Sequence, residues 1–273
     1  MKTAELEQKA IDTFAGEMTP KFLATVSPDG MPNIVPIISI EALDPKTIIF
    51  GEFMIWKTKK NLTSNAKVGV SVLTEELNCW TLRGTFAGFE RTGEKYDRIS
   101  MHDLYRYNAY SGLRNAGVIE VADAKRVQGM LAPARVVEMA FAGLSAAVSK
   151  SDSGGPMPVQ VSEKFGRLKA AKYISYVDGD GYPLALPAPS MFSIGNGALE
   201  FGAGALKDMD GNLPTPPFKA AAAIITFDPV AYQVKGTVTK FENRLGAKIA
   251  RLEVEEVYSA SPPLCGKRID RKN

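Results

Sequence analysis

The sequence predicts a mainly β protein built from two tandem small barrels with flanking helices, and three observations predict it. Short β-branched or alternating runs are separated by turn signals such as Asp-Gly. The chain is similar to itself at an offset of about 150 positions. Its 273 residues, 45% hydrophobic and 23% charged, are typical of a globular protein that can bury a core in each half.

The internal repeat is seen when "FLATVSPDGMPNIVPIISI" (22–40) is laid over "YISYVDGDGYPLALPAPSM" (173–191). The two stretches share an Asp-Gly pair, two prolines and a serine at a constant offset of 151. The offset becomes 152 where "LRGTFAGFE" (82–90) meets "VKGTVTKFE" (234–242). A period this long indicates a duplicated domain rather than a solenoid repeat.

Each half predicts a hairpin followed by further strands. In the first half, "FLATVS" and "PNIVPIISI" flank an Asp-Gly turn, which is a hairpin signal. The strands that follow are "TIIFGEF", "KVGVSVL", "CWTLRGTFAGFE" and, after a helix at about 94–111, "GVIEVADAKRVQ". The second half gives "YISYV", "PLALPAPSM", "ALEFGAG", "AAAIITF", "AYQVKGTVTKFE" and "ARLEVEEVYS". Six strands with one or two helices per half predict a small barrel.

The boundary between the halves lies in a stretch of low complexity. "PARVVEMAFAGLSAAVSK" (133–150) predicts an amphipathic helix, and "SDSGGPMP" (151–158) predicts a linker. We therefore divide the chain into domains 1–155 and 156–273. Closure of each barrel would explain how prolines such as Pro36 and Pro187 are accommodated, at bulges or edges of strand-like runs.

Composition excludes several classes of protein. A net charge of +3 without a long basic run argues against nucleic acid as a partner. Cys79 and Cys265 stand outside any CxxC pair, which argues against a disulfide scaffold or a zinc site and fits a reducing cytoplasm. No run reaches the ~18 apolar residues of a membrane span, and the start lacks a signal-peptide core. His102 alone cannot form a catalytic triad, and we expect a structural or solvent-facing role for it.

The stretch "MIWKTKKNL" (54–62) concentrates positive charge and donors where a buried strand ends. A strand leading through "WKT" into a short helix places free backbone N–H groups beside Lys57 and Thr58. A helix N-terminus, a hydroxyl and an ammonium together favour an anion. The alternative is a solvated basic helix face.

The order of hairpin, "IIFGEF", "KTKKNL", alternating strand and "LRGT" resembles the FMN-binding split barrels of the pyridoxamine 5'-phosphate oxidase-like superfamily. It is most similar to the FMN-binding-protein and flavin-reductase-like branches. The resemblance spans about residues 20–128 and, through the repeat, about 160–260. It implies an FMN-binding split-barrel domain followed by a second, degenerate one. The C-terminal Arg-Leu-Ala-Pro signature of the vitamin B6 oxidase is absent from the tail "SPPLCGKRIDRKN", so we do not expect that activity.

The resemblance also implies which residues bind FMN. Lys57 and Thr58 would bind the phosphate, with Asn61 as a supporting donor. Arg83 would lie near the ring or the phosphate across the domain interface. The residues implied to line the flavin ring are Val35, Pro36, Ile37, Ile38, Gly51, Glu52 and Phe53. For each of these the alternative is an ordinary core or surface position.

The second half departs from this pattern after its Phe-Gly pair. Lys207 is the remnant of Lys57, but Asp208 and Asp210 place negative charge where a phosphate would lie. Three prolines within 214–217 also shorten the helix whose N-terminus would bind it. We therefore predict one FMN site per chain, in the first half, with the second half closing the pocket.

These observations predict an FMN-dependent oxidoreductase of the cytoplasm that transfers hydride or electrons between a nicotinamide or similar donor and a small acceptor. No catalytic acid or base is identified. A non-enzymatic electron carrier or flavin store would use the same pocket. A haem-binding barrel using His102 and a scaffold with a lapsed pocket are further alternatives. The expected partners are a small redox substrate and no membrane, with the halves paired as an intrachain pseudo-dimer or also as a homodimer.

Overall fold

The computed structural model describes residues 2–17, 19–102, 112–130, 132–148 and 154–270. The strands of the first half are β1 (Lys2–Thr3), β2 (Lys21–Val26), β3 (Pro32–Pro36), β4 (Glu41–Asp44), β5 (Thr47–Gly51), β6 (Lys67–Leu73), β7 (Cys79–Glu90) and β8 (Ala116–Val127). Its helices are α1 (Gln8–Phe14), α2 (Trp56–Ser64) and α3 (Glu94–Ser100).

The second half follows a connecting helix, α4 (Pro133–Val148), and begins with α5 (Val159–Gly166). Its strands are β9 (Ala170–Ser175), β10 (Leu186–Pro187), β11 (Phe192–Ile194), β12 (Ala198–Gly202), β13 (Phe218–Thr226), β14 (Ala231–Arg244) and β15 (Ala247–Ser259). A short 3-10 helix covers Ala203–Leu206. Within the described ranges, no helix is long and apolar enough to cross a membrane.

The two sheets have the same antiparallel strand order. The first runs β3-β2-β6-β7-β8-β5-β4, with β1 added beside β8, and the second runs β10-β9-β13-β14-β15-β12-β11. The predicted mainly β fold of two tandem split barrels is confirmed. Closure is the part of the prediction that is wrong, because no pairing between described residues joins the two edge strands of either sheet. Pro36 and Pro187 lie in the edge strands β3 and β10, where a missing N–H leaves no ladder partner unsatisfied.

Residues that occupy the same place in the two sheets are called counterparts below. They differ by 151 positions at the start of each half, as Phe22 and Tyr173 do, and by 152 positions on β7 and β14. On β8 and β15 the difference is 133 positions, because Lys125 and Tyr258 pair with the counterparts Thr81 and Gln233.

Two predicted elements differ from those observed. The helix expected over 94–111 is seen as α3, which ends at Ser100, and residues 103–111 lie outside the described part. The run 183–191 forms only the two-residue strand β10 and an isolated bridge at Pro183, because three of its residues are prolines without an N–H to donate.

The halves pack against each other through a shared apolar cluster. Phe22 and Ile34 of the first half lie in it with Tyr173 and Ala221 of the second. The rings of Phe22 and Tyr173 stack with their centroids 4.1 Å apart. Because these two residues are counterparts, the halves meet around a pseudo-two-fold axis, as an isologous dimer would.

A reciprocal pair of hydrogen bonds shows the same symmetry. The Thr81 hydroxyl donates to the Ala185 carbonyl at 2.9 Å. The Gln233 amide donates to the Ile34 carbonyl at 2.5 Å. Thr81 and Gln233 are counterparts, as are Ala185 and Ile34, so each half binds the other in the same way. These bonds therefore hold β7 against the hairpin segment of the second half and β14 against that of the first.

Candidate functional site

The stretch predicted to bind phosphate forms the first turn of α2. Four residues separate the end of β5 from the start of the helix, and Ile55 precedes the helix without a side-chain cap. The first backbone bond of the helix runs from the Lys59 amide to the Ile55 carbonyl at 2.7 Å. The amides before Lys59 therefore point out of the N-terminus, where the helix dipole is positive. Thr58 is buried and Lys57 is half-buried in this turn.

Lys57 carries an unsatisfied charge at this point. Its Nζ is buried and has no hydrogen-bond partner in the described part of the chain. It lies 3.2 Å from the ring centroid of Tyr258, a cation–π contact with the second half. Burial, and next the positive charge of Lys235, lower the pKa of Lys57 to about 8. An anion beside this ammonium would satisfy it and reverse the shift.

The second half surrounds Lys57 with further positive charge. Lys235 Nζ lies 5.8 Å from the same Tyr258 ring, and the charge of Arg268 also lowers the pKa of Lys57. Glu256 opposes these effects, but its carboxylate already pairs with Arg268 at 2.9 Å. We call Lys57, Lys235 and Arg268 the cationic cluster. It is assembled only where the two halves meet, and its chemistry favours an anionic group.

Asn61 faces the barrel rather than the helix N-terminus. Its side-chain amide donates to the Thr25 hydroxyl at 3.0 Å, and the residue is 4% exposed. This bond ties α2 to β2 and so fixes the direction of the helix. The role of Asn61 as a phosphate donor stays a prediction, and the donor bond seen in the structure is structural.

The two strand segments predicted to line the ring lie at the ends of β3 and β5. Val35 and Pro36 close β3, with Ile37 and Ile38 directly after it, and Gly51 closes β5. The hydroxyl of Ser39 accepts the Gly51 amide at 3.0 Å and joins the two segments. The structure thus brings both predicted segments together beside α2.

Glu52 and Phe53 are held by contacts of their own. The Glu52 carboxylate accepts hydrogen bonds from Lys59 at 2.7 Å and from the Asn115 side chain at 2.5 Å. These bonds link α2 to the segment before β8. Phe53 packs against a small apolar cluster that contains Ile99. The Glu52 side chain therefore positions α2. This role is separate from the predicted contact between the Glu52 backbone and a flavin ring.

Arg83 is placed at the domain interface, as predicted, but its guanidinium is bound by carboxylates. It pairs with Asp123 at 2.5 Å, Asp178 at 2.9 Å and Asp180 at 2.8 Å. These hydrogen bonds, Asp123 first, raise the pKa of Arg83. Its role as an FMN ligand stays a prediction, while the contacts observed bridge the two halves. The counterpart Lys235, rather than Arg83, contributes its charge beside Lys57.

Sequence reasoning missed the residues that reach Lys57 from the second half. Lys235 had a signal, because "LRGT" and "VKGT" align at the offset of 152. Tyr258 and Arg268 had none, since their approach depends on how the halves pack. A cavity of about 1130 Å³ at the second barrel was also not predicted.

One comparison with known protein families matches the first half of the chain. Residues 8–142, which contain β2 to β8, match the family described as pyridoxamine 5'-phosphate oxidase. None of the curated proteins compared with the chain matches it.

The chain is also similar to several solved structures. One is an FMN-binding protein from Syntrophomonas wolfei, 24% identical, covering 45% of this chain and 86% of that one with a TM-score of 0.40. Group A Streptococcus HupZ is 24% identical over 45% of this chain and 95% of its own, with a TM-score of 0.39. An F420 reductase is 18% identical over 45% of this chain and 100% of its own, with a TM-score of 0.35.

The family match falls on the half that contains α2, and the described strand order is that of a split barrel repeated once. On these grounds the chain belongs to the pyridoxamine 5'-phosphate oxidase-like superfamily of split barrels.

Proposed function

We propose that this chain binds FMN in its first half and acts as an oxidoreductase between a nicotinamide or similar donor and a small acceptor. The observation that carries the proposal is the Lys57 ammonium at the start of α2, which is buried and has no hydrogen-bond partner among the described residues. A phosphate monoester is dianionic at neutral pH and offers strong acceptors to such a group. The residues present therefore fit the phosphate of FMN.

In this proposal the Lys57 ammonium, the Thr58 hydroxyl and the first amides of α2 bind the phosphate. Lys235 and Arg268 add positive charge from the second half. The ends of β3 and β5 present backbone groups and apolar side chains to the flavin ring. FMN, when bound, supplies the hydride or electron transfer itself. The Glu52–Lys59 pair keeps α2 in place, since one partner is fully buried and the other bonds it at 2.7 Å.

The proposal also includes the remaining predictions made from the sequence. One FMN site per chain, a domain boundary near residue 155, a cytoplasmic location and a small-molecule redox substrate are its further parts. The packing of the two halves supports it, because the second half supplies Tyr258 and Lys235 to the rim of the first. A second copy of the chain is then not required to complete the site.

The test compares FMN with riboflavin, which lacks the phosphate. Lys57→Met should lower FMN affinity by about 10- to 100-fold and riboflavin affinity by less than about 3-fold. Quenching of flavin fluorescence measures both. Lys60→Met, at an exposed position on the same helix, is the matched control and should leave both affinities unchanged. Equal losses for the two ligands would refute the assignment.

Turnover separates the enzyme from the electron carrier or flavin store. Repeated oxidation of NADH or NADPH by the FMN-loaded protein in the presence of a quinone or nitro compound assigns an oxidoreductase. A single stoichiometric reduction that is not followed by turnover assigns a carrier. Protein that takes up no FMN at all contradicts both.

A further inference from the structure

The cavity of about 1130 Å³ lies between the halves, at the rim of the second barrel. Its second-half wall contains the counterparts of the residues that the first half presents at its own rim. Leu186, Pro187, Pro189 and Ser190 are the counterparts of Val35, Pro36, Ile38 and Ser39. The cavity is therefore built at the place in the second barrel that corresponds to the FMN site proposed for the first.

The opposite wall comes from the first half and from α4. Lys125 and Val127 of β8 line the cavity with Arg135 and Met139 of α4. At the first site, the counterpart of Lys125 is Tyr258, and the chain after it packs against Lys57. The two rims are therefore covered by different elements, because a helix follows β8 whereas an irregular segment follows β15.

The cations that line this cavity retain donor capacity. Lys172 Nζ donates to the Met191 carbonyl at 2.6 Å, and Lys125 Nζ donates to the Met209 carbonyl at 3.0 Å. Arg135 donates to the Gly204 carbonyl at 2.5 Å and approaches Glu138 at 3.7 Å. An ammonium has three donors and a guanidinium has five, so each can bind a further acceptor.

The carboxylates that line the cavity are either more exposed than these cations or already accept hydrogen bonds. Lys172 is 1% exposed, and Lys125 and Arg135 are half-buried. Glu75 and Glu76 are exposed. The Asp208 carboxylate accepts the backbone amides of the turn that follows it, at 2.8 and 2.9 Å. The remaining charged side chains of the lining are the exposed Lys169 and Lys207.

The phosphate-binding turn of the first half has no equivalent here. A four-residue 3-10 helix stands in place of the nine-residue α2, and Asp208 follows it. Much of the lining is apolar, with Leu73, Leu77, Met130 and Met139 facing Leu186 and Pro187 in one cavity. Such a site suits a large apolar body more than a phosphorylated chain.

We propose that this cavity is a second ligand site, for an organic acid with a bulky aromatic body, whose acidic group is bound by Lys172, Lys125 and Arg135. The apolar lining buries the body, and the cations bind a carboxylate or sulfonate at its edge. The cavity shares Ile38 with the segment proposed to line the flavin ring, but its cations lie at the second rim, and the proposal does not require FMN binding in the first half. It gives the second half a binding role in addition to its role as a wall.

The test uses two probes that differ in charge. Anilinonaphthalene sulfonate has an aromatic body and one sulfonate, and N-phenylnaphthylamine has the same body without it. The full chain should bind one equivalent of the sulfonate with enhanced fluorescence. Arg135→Met and Lys125→Met should each weaken the sulfonate by about 10-fold and the neutral probe by less than about 3-fold. Lys95→Met, which breaks a surface pair with Glu90, is the control and should change neither.

Two further measurements complete the test. Lys172→Met should show the largest loss, and Arg135→Met and Lys125→Met give the answer alone if that core variant does not fold. Saturating FMN should not displace the sulfonate, which separates this site from the one in the first half. The proposal is overturned if the sulfonate binds no better than the neutral probe, if neither rim variant weakens it, or if FMN competes with it.

Discussion

The two barrels share their scaffold and differ at their rims. Ser39 binds the Gly51 amide at 3.0 Å, and Ser190 binds the Gly202 amide at the same distance. The buried lysine that starts each barrel also repeats. Lys21 donates to the Ile38 carbonyl, and its counterpart Lys172 donates to the Met191 carbonyl, two positions farther along the same turn. These bonds fix the turn that follows β3 in the first barrel and β10 in the second, so both barrels depend on them.

The differences concentrate where a ligand would lie. The first half has the nine-residue α2 after β5, and the second has a four-residue 3-10 helix after β12. The N-terminus of α2 carries Lys57 beside Thr58, whereas the second rim carries Lys207 beside Asp208. Buried hydrogen bonds leave little freedom to change, because an unsatisfied partner costs about 1–3 kcal/mol. Rim residues that make no such bond lack this constraint, so a duplicated scaffold can carry two different sites.

The largest expected effect tests the interface on which both sites depend. Arg83→Met leaves the carboxylates of Asp123 and Asp178, 11% and 3% exposed, without their guanidinium. We expect a loss of about 3–5 kcal/mol in the free energy of unfolding, measured in urea. Lys235→Met should cost far less, because burial lowers the pKa of Lys235 and its removal relieves that penalty. Equal losses for the two variants would show that the interface is energetically symmetric.

The second prediction compares the two buried lysines. Burial alone lowers the pKa of Lys172 to about 7, whereas Glu41 partly opposes burial at Lys21, whose pKa is about 8. In the second half, the centroid of the Phe192 ring lies 4.3 Å from the Lys172 ammonium. The counterpart position of Phe192 in the first half is Glu41. The first lysine is therefore compensated by a carboxylate and the second by an aromatic ring.

A lowered lysine pKa penalises the folded state while the group is charged, and the penalty is relieved as pH rises above the folded pKa toward the unfolded one. Unfolding in urea should therefore show stability rising from about pH 7 to about pH 9, by about 2–3 kcal/mol from Lys172 and about 1 from Lys21. Lys172→Met should abolish the larger part of this rise, and Lys21→Met the smaller. A wild-type profile that is flat over this range would contradict both assignments.

Much of the scaffold could be predicted because it repeats. Every strand of the first sheet except β1 has a counterpart in the second, and edge prolines such as Pro36 were interpretable from their missing N–H. The place of Lys57 between a strand and a helix could be predicted, and its role as an anion ligand stays a prediction. Its burial under Tyr258 could not be predicted, because that contact depends on the packing of two distant segments.

Arg83 shows where the limit of prediction lies. The resemblance implied a place near the ring or the phosphate across the domain interface, but two of its three carboxylate partners are acids in the turn of the other half, where "VDGDG" replaces "VSPDG". The cavity could not be predicted for a similar reason. It lies where the second half lacks a counterpart of α2 and where α4 packs beside the second barrel. Propensity and periodicity describe elements one at a time, and neither describes a space left between two of them.

The third prediction concerns the pH dependence of FMN binding at the first site. The pKa of Lys57 is about 8, so its charge is lost above that value unless a bound anion retains it. FMN affinity should fall by about tenfold between about pH 7 and about pH 9, and riboflavin affinity should not follow it. Lys57→Met should remove the fall, as measured by fluorescence titration. A parallel fall for riboflavin would place the titrating group beside the ring instead.

The smallest expected effect compares the two rims at one shared feature, the hydrogen bond from a glycine amide to a serine hydroxyl. Ser39→Ala leaves the Gly51 amide buried without its acceptor and should cost about 1–2 kcal/mol in the free energy of unfolding. Ser190 lines the cavity, so water there can accept the Gly202 amide after Ser190→Ala, and the cost should stay below about 1 kcal/mol. The difference requires water that reaches the Gly202 amide from the cavity. If Ser190→Ala costs as much as Ser39→Ala, water from the cavity does not replace the lost acceptor.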